Sequence, residues 1–208
     1  SSDLGYSDFV VARDGGSASV VNIYSGKTLG LIKSFTAFPA PFTGGVRVAC
    51  ADVNGDGLAD VIAASGAGMR GTVRVFSSST KPALLFKLSS TTFVGPATFT
   101  GGLFIASADL TGDGKAELIV GNDRGGTPQV SVIPGGAKLG AVTSFNAMAD
   151  SITGGIRVGV ASTGDLLPSI VTGTGPGIAA QVNLFDGRDY SRLDTLFSLA
   201  DGLDGVRV

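Results

Sequence analysis

The sequence predicts an all-β protein that contains four copies of one unit of roughly fifty residues. Glycine supplies 33 of the 208 residues and charged residues only 15%, while 43% are apolar, so the chain can bury a full core. Short valine-rich runs alternate with glycine-rich segments, which is typical of strands joined by tight turns. The third observation is the internal repeat, which fixes the order of the strands.

The first strand of each unit follows a Thr-Gly-Gly or Asp-Gly step and begins Val-Arg-Val in two copies, Ile-Arg-Val in a third and Leu-Phe-Ile in the fourth. Its four copies are Phe42-Thr-Gly-Gly-Val-Arg-Val48, Phe99-Thr-Gly-Gly-Leu-Phe-Ile105, Ile152-Thr-Gly-Gly-Ile-Arg-Val158 and Leu203-Asp-Gly-Val-Arg-Val208.

Two further strands and a more variable fourth follow in each unit. Second strands begin at Asp8, Asp60, Glu117 and Ser169, and third strands at Val21, Val73, Val130 and Val182. Fourth strands are predicted over 29–35, 83–88, 139–145 and 194–199. Four antiparallel strands in a unit of this length form one blade of a β-propeller.

The repeat therefore predicts a single propeller domain over residues 1–208, with units at about 1–41, 42–98, 99–151 and 152–202. The chain begins in the second strand of one unit and ends in the first strand of another. This phase predicts that residues 203–208 complete the N-terminal blade, which would protect sheet edges. The alternatives are a stretch of a longer array and half of a two-chain ring.

Two acidic loops join the first and second strands of the middle units: Asp52-Val-Asn-Gly-Asp-Gly-Leu-Ala-Asp60 and Asp109-Leu-Thr-Gly-Asp-Gly-Lys-Ala-Glu117. Oxygen side chains at loop positions 1, 3, 5 and 9 suit calcium, which takes six to eight oxygens. We expect two calcium sites. The predicted ligands are Asp52, Asn54, Asp56, Asp60 and the Leu58 carbonyl in the first loop, and Asp109, Thr111, Asp113, Glu117 and the Lys115 carbonyl in the second.

An EF-hand is excluded because position 12 is Ala63 or Val120 and the flanks have the pattern of strands. The third loop, Ala161–Ser169, keeps one carboxylate, so we do not expect it to bind calcium.

Together these motifs resemble the FG-GAP repeats of integrin-α-type β-propellers, in particular those of secreted bacterial proteins. The motifs concerned are Phe-Thr-Gly-Gly, the acidic loop and the glycine-rich turn before Val73-Arg-Val-Phe76. The resemblance implies calcium on the loops between the first two strands of a blade, and an adhesive or binding role. Open calcium sites of this type fill outside cells, so we expect the protein outside the cell or at its surface.

Three other features have two interpretations each. Arg47, Arg157 and Arg207 share one position of the first strand and could bind an anion together, or could pair with Asp residues between blades. Gly173-Thr-Gly-Pro-Gly177 is interpreted as a blade hairpin rather than a phosphate loop, because no helical pattern follows it. Cys50, the single cysteine, is expected to be a small buried side chain.

The sequence thus predicts a calcium-stabilised, non-enzymatic module that binds a protein or glycan partner. No histidine is present, so histidine-based catalytic triads are excluded. A net charge of −2 gives no basic surface for nucleic acid, and no apolar run is long enough to insert into a membrane. A monomer is expected, with paired half-propellers as the alternative. The rival function is a calcium-dependent polysaccharide lyase that uses Arg or Tyr side chains.

Overall fold

The computed structural model describes residues 6–77, 84–89, 98–162, 167–197, 205, 206 and 208, with the backbone alone for 84–89 and 197. Within these residues the chain forms fifteen β-strands and no helix, which confirms the all-β prediction. The described part accordingly contains no helix long and apolar enough to cross a membrane. The strands are β1 Phe9–Ala12, β2 Val20–Tyr24, β3 Leu31–Thr36, β4 Val46–Ala51, β5 Asp60–Ser65, β6 Thr72–Phe76, β7 Leu84–Ser89, β8 Leu103–Ala108, β9 Glu117–Asn122, β10 Gln129–Ile133, β11 Thr143–Asn146, β12 Ile156–Ala161, β13 Ser169–Thr174, β14 Gln181–Phe185 and β15 Arg192–Phe197.

These strands form four antiparallel sheets that follow the chain order. The first sheet contains β1–β3, the second β4–β7, the third β8–β11 and the fourth β12–β15, each with consecutive strands as neighbours. Equivalent residues pair in every sheet: Phe9 lies opposite Tyr24, and Val61 opposite Phe76. The four-fold sequence repeat is therefore a four-fold structural repeat.

Apolar side chains from neighbouring sheets form three core clusters. One joins the first and second sheets around Val21, Phe38 and Phe76. The next joins the second and third sheets, and the last joins the third and fourth. The fully buried β5 and β9 account for the continuous apolar runs in the sequence, because both of their faces contact neighbouring sheets.

Glycine pairs before the first strands allow close backbone contacts, one within a sheet and one between adjacent sheets. A Cβ on Gly44 would collide with the Ala67 carbonyl of the next turn in its own sheet. Gly45 has a φ of 89°, and a Cβ there would lie 2.8 Å from the Gly15 amide nitrogen in the preceding sheet. The repeated Thr-Gly-Gly step therefore needs glycine, because any Cβ at these positions would collide with a neighbouring backbone.

Cys50 is exposed, which corrects the expectation that it is buried. Its position on β4 lies near the rim of the sheets, where the equivalent Val160 of the fourth sheet is also exposed. The apolar neighbours of Cys50 in the sequence predicted burial, but they do not show how far the core extends along the strand.

The predicted closing segment, 203–208, is described only at 205, 206 and 208. The Val206 amide donates to the Thr174 carbonyl at 2.8 Å, so this part of the segment lies beside the fourth sheet. Closure onto the first sheet stays a prediction, as do the unit boundaries. The start of the predicted strand 83–88, the end of 194–199 and the middle of the third loop lie outside the described residues.

Candidate metal-binding loops

The two acidic loops have the same backbone conformation. Gly55 and Gly57 of the first loop have φ values of 83° each, and Gly112 and Gly114 of the second have 79° and 82°. These left-handed glycines turn the chain around the first aspartate of each loop. The glycine spacing that suggested a cation loop therefore produces two matching turns.

Backbone amides surround the first aspartate of each loop. Asp52 accepts hydrogen bonds from the Gly55 and Gly57 amides, each at 2.7 Å. Asp109 accepts from the Gly112 amide at 2.7 Å and the Gly114 amide at 2.8 Å. These bonds fix the position-1 carboxylate inside its loop without any positive side chain.

The position-9 carboxylates are buried where each second strand begins. Asp60 is fully buried, and its Oδ2 accepts from the Val53 amide at 3.2 Å. Asp60 Oδ1 is buried without a hydrogen-bond partner in the described structure. In the second loop, Glu117 accepts from the Leu110 amide at 2.7 Å.

Burial and nearby negative charge raise the pKa of both carboxylates in the metal-free protein. The pKa of Asp60 is raised from 3.8 to about 6, mainly by desolvation; the charges of Asp56 and Asp52 act in the same direction, and the hydrogen bond from the Val53 amide opposes them. The pKa of Glu117 is raised by desolvation and, to a smaller extent, by Asp109 and Asp113. A bound cation would lower the cost of ionising a carboxylate that is buried, has an oxygen without a hydrogen-bond partner and lies beside like charges.

The residues at positions 3 and 7 differ between the loops, and so do the contacts of the aspartate at position 5. Asn54 donates to Asp56 Oδ2 at 3.1 Å in the first loop. In the second, Lys115 Nζ lies 3.1 Å from Asp113 Oδ2, and hydrogen bonds from Lys115 lower the pKa of Asp113. Position 7 of the first loop is Leu58, which is exposed, where the second loop has Lys115. An ammonium group therefore lies beside the position-5 carboxylate in the second loop, while the first loop has no lysine at position 7.

The side chains are not drawn together around one point in either loop. In the described part of the chain, no three Asp, Glu, His or Cys side chains are grouped as a metal site would require. The donor set nevertheless fits calcium, since it consists of oxygens on a tight loop above a desolvated carboxylate. The assignment of Asp52, Asn54, Asp56, Asp60, Asp109, Thr111, Asp113 and Glu117 as ligands, with the Leu58 and Lys115 carbonyls, remains a proposal.

The two loops touch each other. The Ala116 amide of the second loop donates to the Asp52 carbonyl at 2.7 Å, and the Lys115 side chain packs against Gly55. Leu167, which holds position 7 of the third loop as Lys115 does in the second, packs against Gly112. Sequence spacing predicted each loop alone but not this contact along the rim of the sheets.

The arginines of the first strands lie between sheets. Arg47 pairs with Asp123 of the third sheet at 2.6 Å, and its guanidinium carbon lies 4.2 Å from the centre of the Phe104 ring. Arg157 lies 5.3 Å from the same ring and donates to the Thr174 carbonyl. Of the two interpretations, pairing with an aspartate between sheets holds for Arg47; Arg207 lies outside the described residues.

Comparison with known families supports the repeat. The FG-GAP-like repeat family matches residues 52–120, and the FG-GAP repeat family matches residues 101–145. The sequence prediction of FG-GAP repeats is therefore confirmed over residues 52–145, the part that holds both acidic loops. No curated protein matches the chain.

Solved structures with a similar fold include three rhamnogalacturonan lyases. The chain aligns over 92% of its length with lyase YesW at 15% identity and a TM-score of 0.55, and over 95% with exotype lyase YesX at 14% and 0.56. It aligns over 90% with the lyase PL11 of Bacillus licheniformis at 16% and 0.55. The aligned part covers 45%, 46% and 44% of these lyases, so the chain spans less than half their length. At this identity the similarity concerns the fold alone.

Proposed function

We propose that the protein is a calcium-stabilised extracellular binding module, a β-propeller-type scaffold that presents its loops to a protein or glycan partner. The observation that carries this proposal is the pair of adjacent acidic loops, each above a buried carboxylate with a raised pKa. Calcium bound to these loops would neutralise the clustered carboxylates. FG-GAP repeats, typical of extracellular and surface proteins, support the location.

The structure suggests how bound cations would serve binding. Because the second loop donates a backbone hydrogen bond to the first, ordering one loop restricts the other. The Arg47–Asp123 pair and the glycine contacts join neighbouring sheets, so the loops stand on a rigid base. A rigid surface loses little conformational entropy when a partner binds.

A glycan-processing enzyme is the second candidate, and the fold shared with three rhamnogalacturonan lyases favours it. Such an enzyme needs a basic side chain that removes a proton next to a carboxylate and cations that stabilise the resulting charge. The side chains of Arg47 and Arg157, both against Phe104, are the described cationic groups that come together between sheets.

One experiment separates the candidates. The protein is applied to a glycan array and incubated with rhamnogalacturonan, in calcium and in chelator, and turnover is followed by the ultraviolet absorbance of the unsaturated product. Calcium-dependent glycan binding without turnover, lost in an Asp60→Asn, Glu117→Gln double variant, is the expected result. Turnover abolished by Arg47→Gln or Arg157→Gln would instead establish the lyase. If calcium changes neither binding nor stability, the calcium-dependent module is wrong.

A further inference from the structure

Two peptide groups in series connect the two acidic loops. The Ala116 amide of the second loop donates to the Asp52 carbonyl of the first at 2.7 Å. The Asp52 carbonyl shares its peptide group with the Val53 amide, which donates to Asp60 Oδ2 at 3.2 Å. At the other end, the Ala116 amide shares its peptide group with the Lys115 carbonyl. We call these two groups, Lys115–Ala116 and Asp52–Val53, the peptide bridge; it runs from a proposed ligand of the second loop to a proposed ligand of the first.

The peptide bridge is held firmly by the third sheet. The Gly136 amide, in the turn between β10 and β11, donates to the Val53 carbonyl at 2.7 Å. A Cβ on Gly135 would lie 2.5 Å from both the Val53 and the Ala116 carbonyl oxygens, so this turn is packed against both loops. Each peptide group is planar, so fixing its carbonyl also fixes its amide. A change of orientation at one end of the bridge is therefore passed to the other end.

The contact between the second and third loops has a similar shape but no peptide bridge. Leu167 of the third loop packs against Gly112 of the second, which repeats the side-chain contact between the second and first loops. Position 8, however, is Pro168 in the third loop where the second has Ala116. Proline has no amide hydrogen, so the equivalent bond to the second loop cannot form. The bridge thus joins the two loops that carry three carboxylates each and is interrupted at the loop that keeps one.

We propose that the peptide bridge couples calcium binding at the two loops, so that a cation held by either loop raises the affinity of the other. This inference rests on the proposed function, in which both loops bind calcium. A cation on the Lys115 carbonyl would fix its peptide group and polarise it, which strengthens the hydrogen bond that the Ala116 amide donates. The Asp52–Val53 peptide is then fixed in the orientation that holds Asp60, so the first loop has less freedom to lose when it binds. Coupling between two binding sites is reciprocal, so the first loop acts on the second by the same factor.

Repulsion between two bound cations acts against this coupling and decides the conditions of the test. Three carboxylates of −1 and one cation of +2 leave each loop with a net charge of −1, so the second cation still enters a negative environment. Asp56 and Asp113, at position 5 of their loops, are exposed to solvent. Salt at 1 M screens such charges beyond about 3 Å and leaves the buried hydrogen bonds in place. Coupling through the peptide bridge should therefore increase with salt concentration.

Calcium titration by calorimetry in 1 M potassium chloride tests the proposal with the wild type and two single-site variants. Asp113→Ala removes a proposed ligand of the second loop, and Asp56→Ala removes one of the first; neither side chain belongs to the peptide bridge. The two single-site affinities give the isotherm expected of independent loops. We expect the wild type to bind its second calcium at least about fivefold more tightly than that isotherm, the lower end of typical coupling.

Ala116→Pro places the residue of the third loop in the second and removes the donor of the peptide bridge. It should abolish the excess affinity, measured against single-site variants made in the same background. Ala59→Pro, the same change at position 8 of the first loop, should retain the excess affinity and is the matched control. Both variants place proline after a proposed carbonyl ligand, so a local effect on that ligand is common to both and only the loss of coupling distinguishes them.

Amide hydrogen exchange provides a second measurement if circular dichroism shows that Ala116→Pro does not fold. In Asp113→Ala, calcium on the first loop should slow exchange of the Ala116 amide more than that of the Gly114 amide, which bonds to Asp109 within the second loop. Equal slowing of both amides would overturn the proposal, and so would a wild-type isotherm that independent loops reproduce. In either case, calcium binding by the single-site variants would leave the proposed function intact, whereas a wild type that binds no calcium would overturn both.

Discussion

Replacing Asp60 by asparagine should stabilise the metal-free protein while weakening its response to calcium. The introduced amide would keep an oxygen for the Val53 amide and remove the buried charge. The pKa of Asp60 in the metal-free fold is about 6 against an ordinary value of 3.8, and one unit is worth about 1.36 kcal/mol. Ionised Asp60 therefore costs the metal-free fold up to about 3 kcal/mol at neutral pH, less whatever the solvent around the exposed loop screens.

The pH dependence follows from the sign of the shift. Between about pH 4 and pH 6 the folded metal-free protein holds the Asp60 proton more tightly than the unfolded chain does, so its free energy of unfolding falls as the pH rises. Asp60→Asn should flatten this slope, leaving the part that comes from the raised pKa of Glu117. Below pH 4 the Asp60 contribution disappears and wild type and variant should converge.

Calcium should remove most of the stability advantage that Asp60→Asn has in the metal-free protein. At a hundred times the dissociation constant, each site that binds only the folded state adds about 2.7 kcal/mol. The variant should lose the calcium-dependent stabilisation that comes from the first loop and keep that from the second. Urea unfolding at pH 7, with chelator and with calcium, measures both effects, and Asp189→Asn, at an exposed carboxylate between β14 and β15, is the control. A chelated Asp60→Asn protein that unfolds at lower urea than chelated wild type would refute the desolvation argument; an unchanged calcium response would remove Asp60 from the ligand set.

Three further predictions concern the second loop, the core and the glycine contacts. Lys115→Leu should strengthen calcium binding at the second loop, because it removes the ammonium group 3.1 Å from Asp113; calorimetry showing equal or weaker affinity would contradict this. Leu118→Ala should cost about 2–5 kcal/mol of stability, since Leu118 is fully buried between the second and third sheets, whereas exposed Leu193→Ala should change urea unfolding by less than about 0.5 kcal/mol. Gly44→Ala should prevent stable folding because its Cβ would collide with the Ala67 carbonyl, while Gly30→Ala, whose Cβ meets only the Thr28 hydroxyl at 3.3 Å, should give folded protein by circular dichroism.

The strands could be predicted because the internal repeat and the local pattern of a polar residue followed by an apolar run agree on where the second strands begin. Asp60, Glu117 and Ser169 each start a second strand as the repeat predicted, since the acidic or polar residue is followed by an apolar run. The variable fourth strand was predicted less well: β11 begins at Thr143 rather than at Leu139. Gly140 donates a backbone hydrogen bond to Pro134 there, so a local turn replaces the first residues of the strand.

The loops could be located from the sequence, but their surroundings could not. Position-specific oxygens and glycines identified Asp52 and Asp109, whose amide contacts are local in the chain. The complete burial of Asp60 depends on sheets distant in sequence, and so does the contact of Lys115 with Gly55. Pairing of Arg47 with Asp123 across 76 residues also depends on the stacking of sheets, which no local pattern encodes.

The contacts of the Thr-Gly-Gly steps bear on how such a chain can diverge. Gly44, Gly101 and Gly154 each approach a carbonyl of the following turn, namely Ala67, Arg124 and Pro176, three residues with unrelated side chains. Recognition between a first strand and its turn thus depends on the main chain, and the turn sequences are free to vary. Whole units could be duplicated, exchanged or given new turn sequences during evolution, provided the two glycines are retained. The same freedom would let an engineer graft foreign loops onto these turns unit by unit.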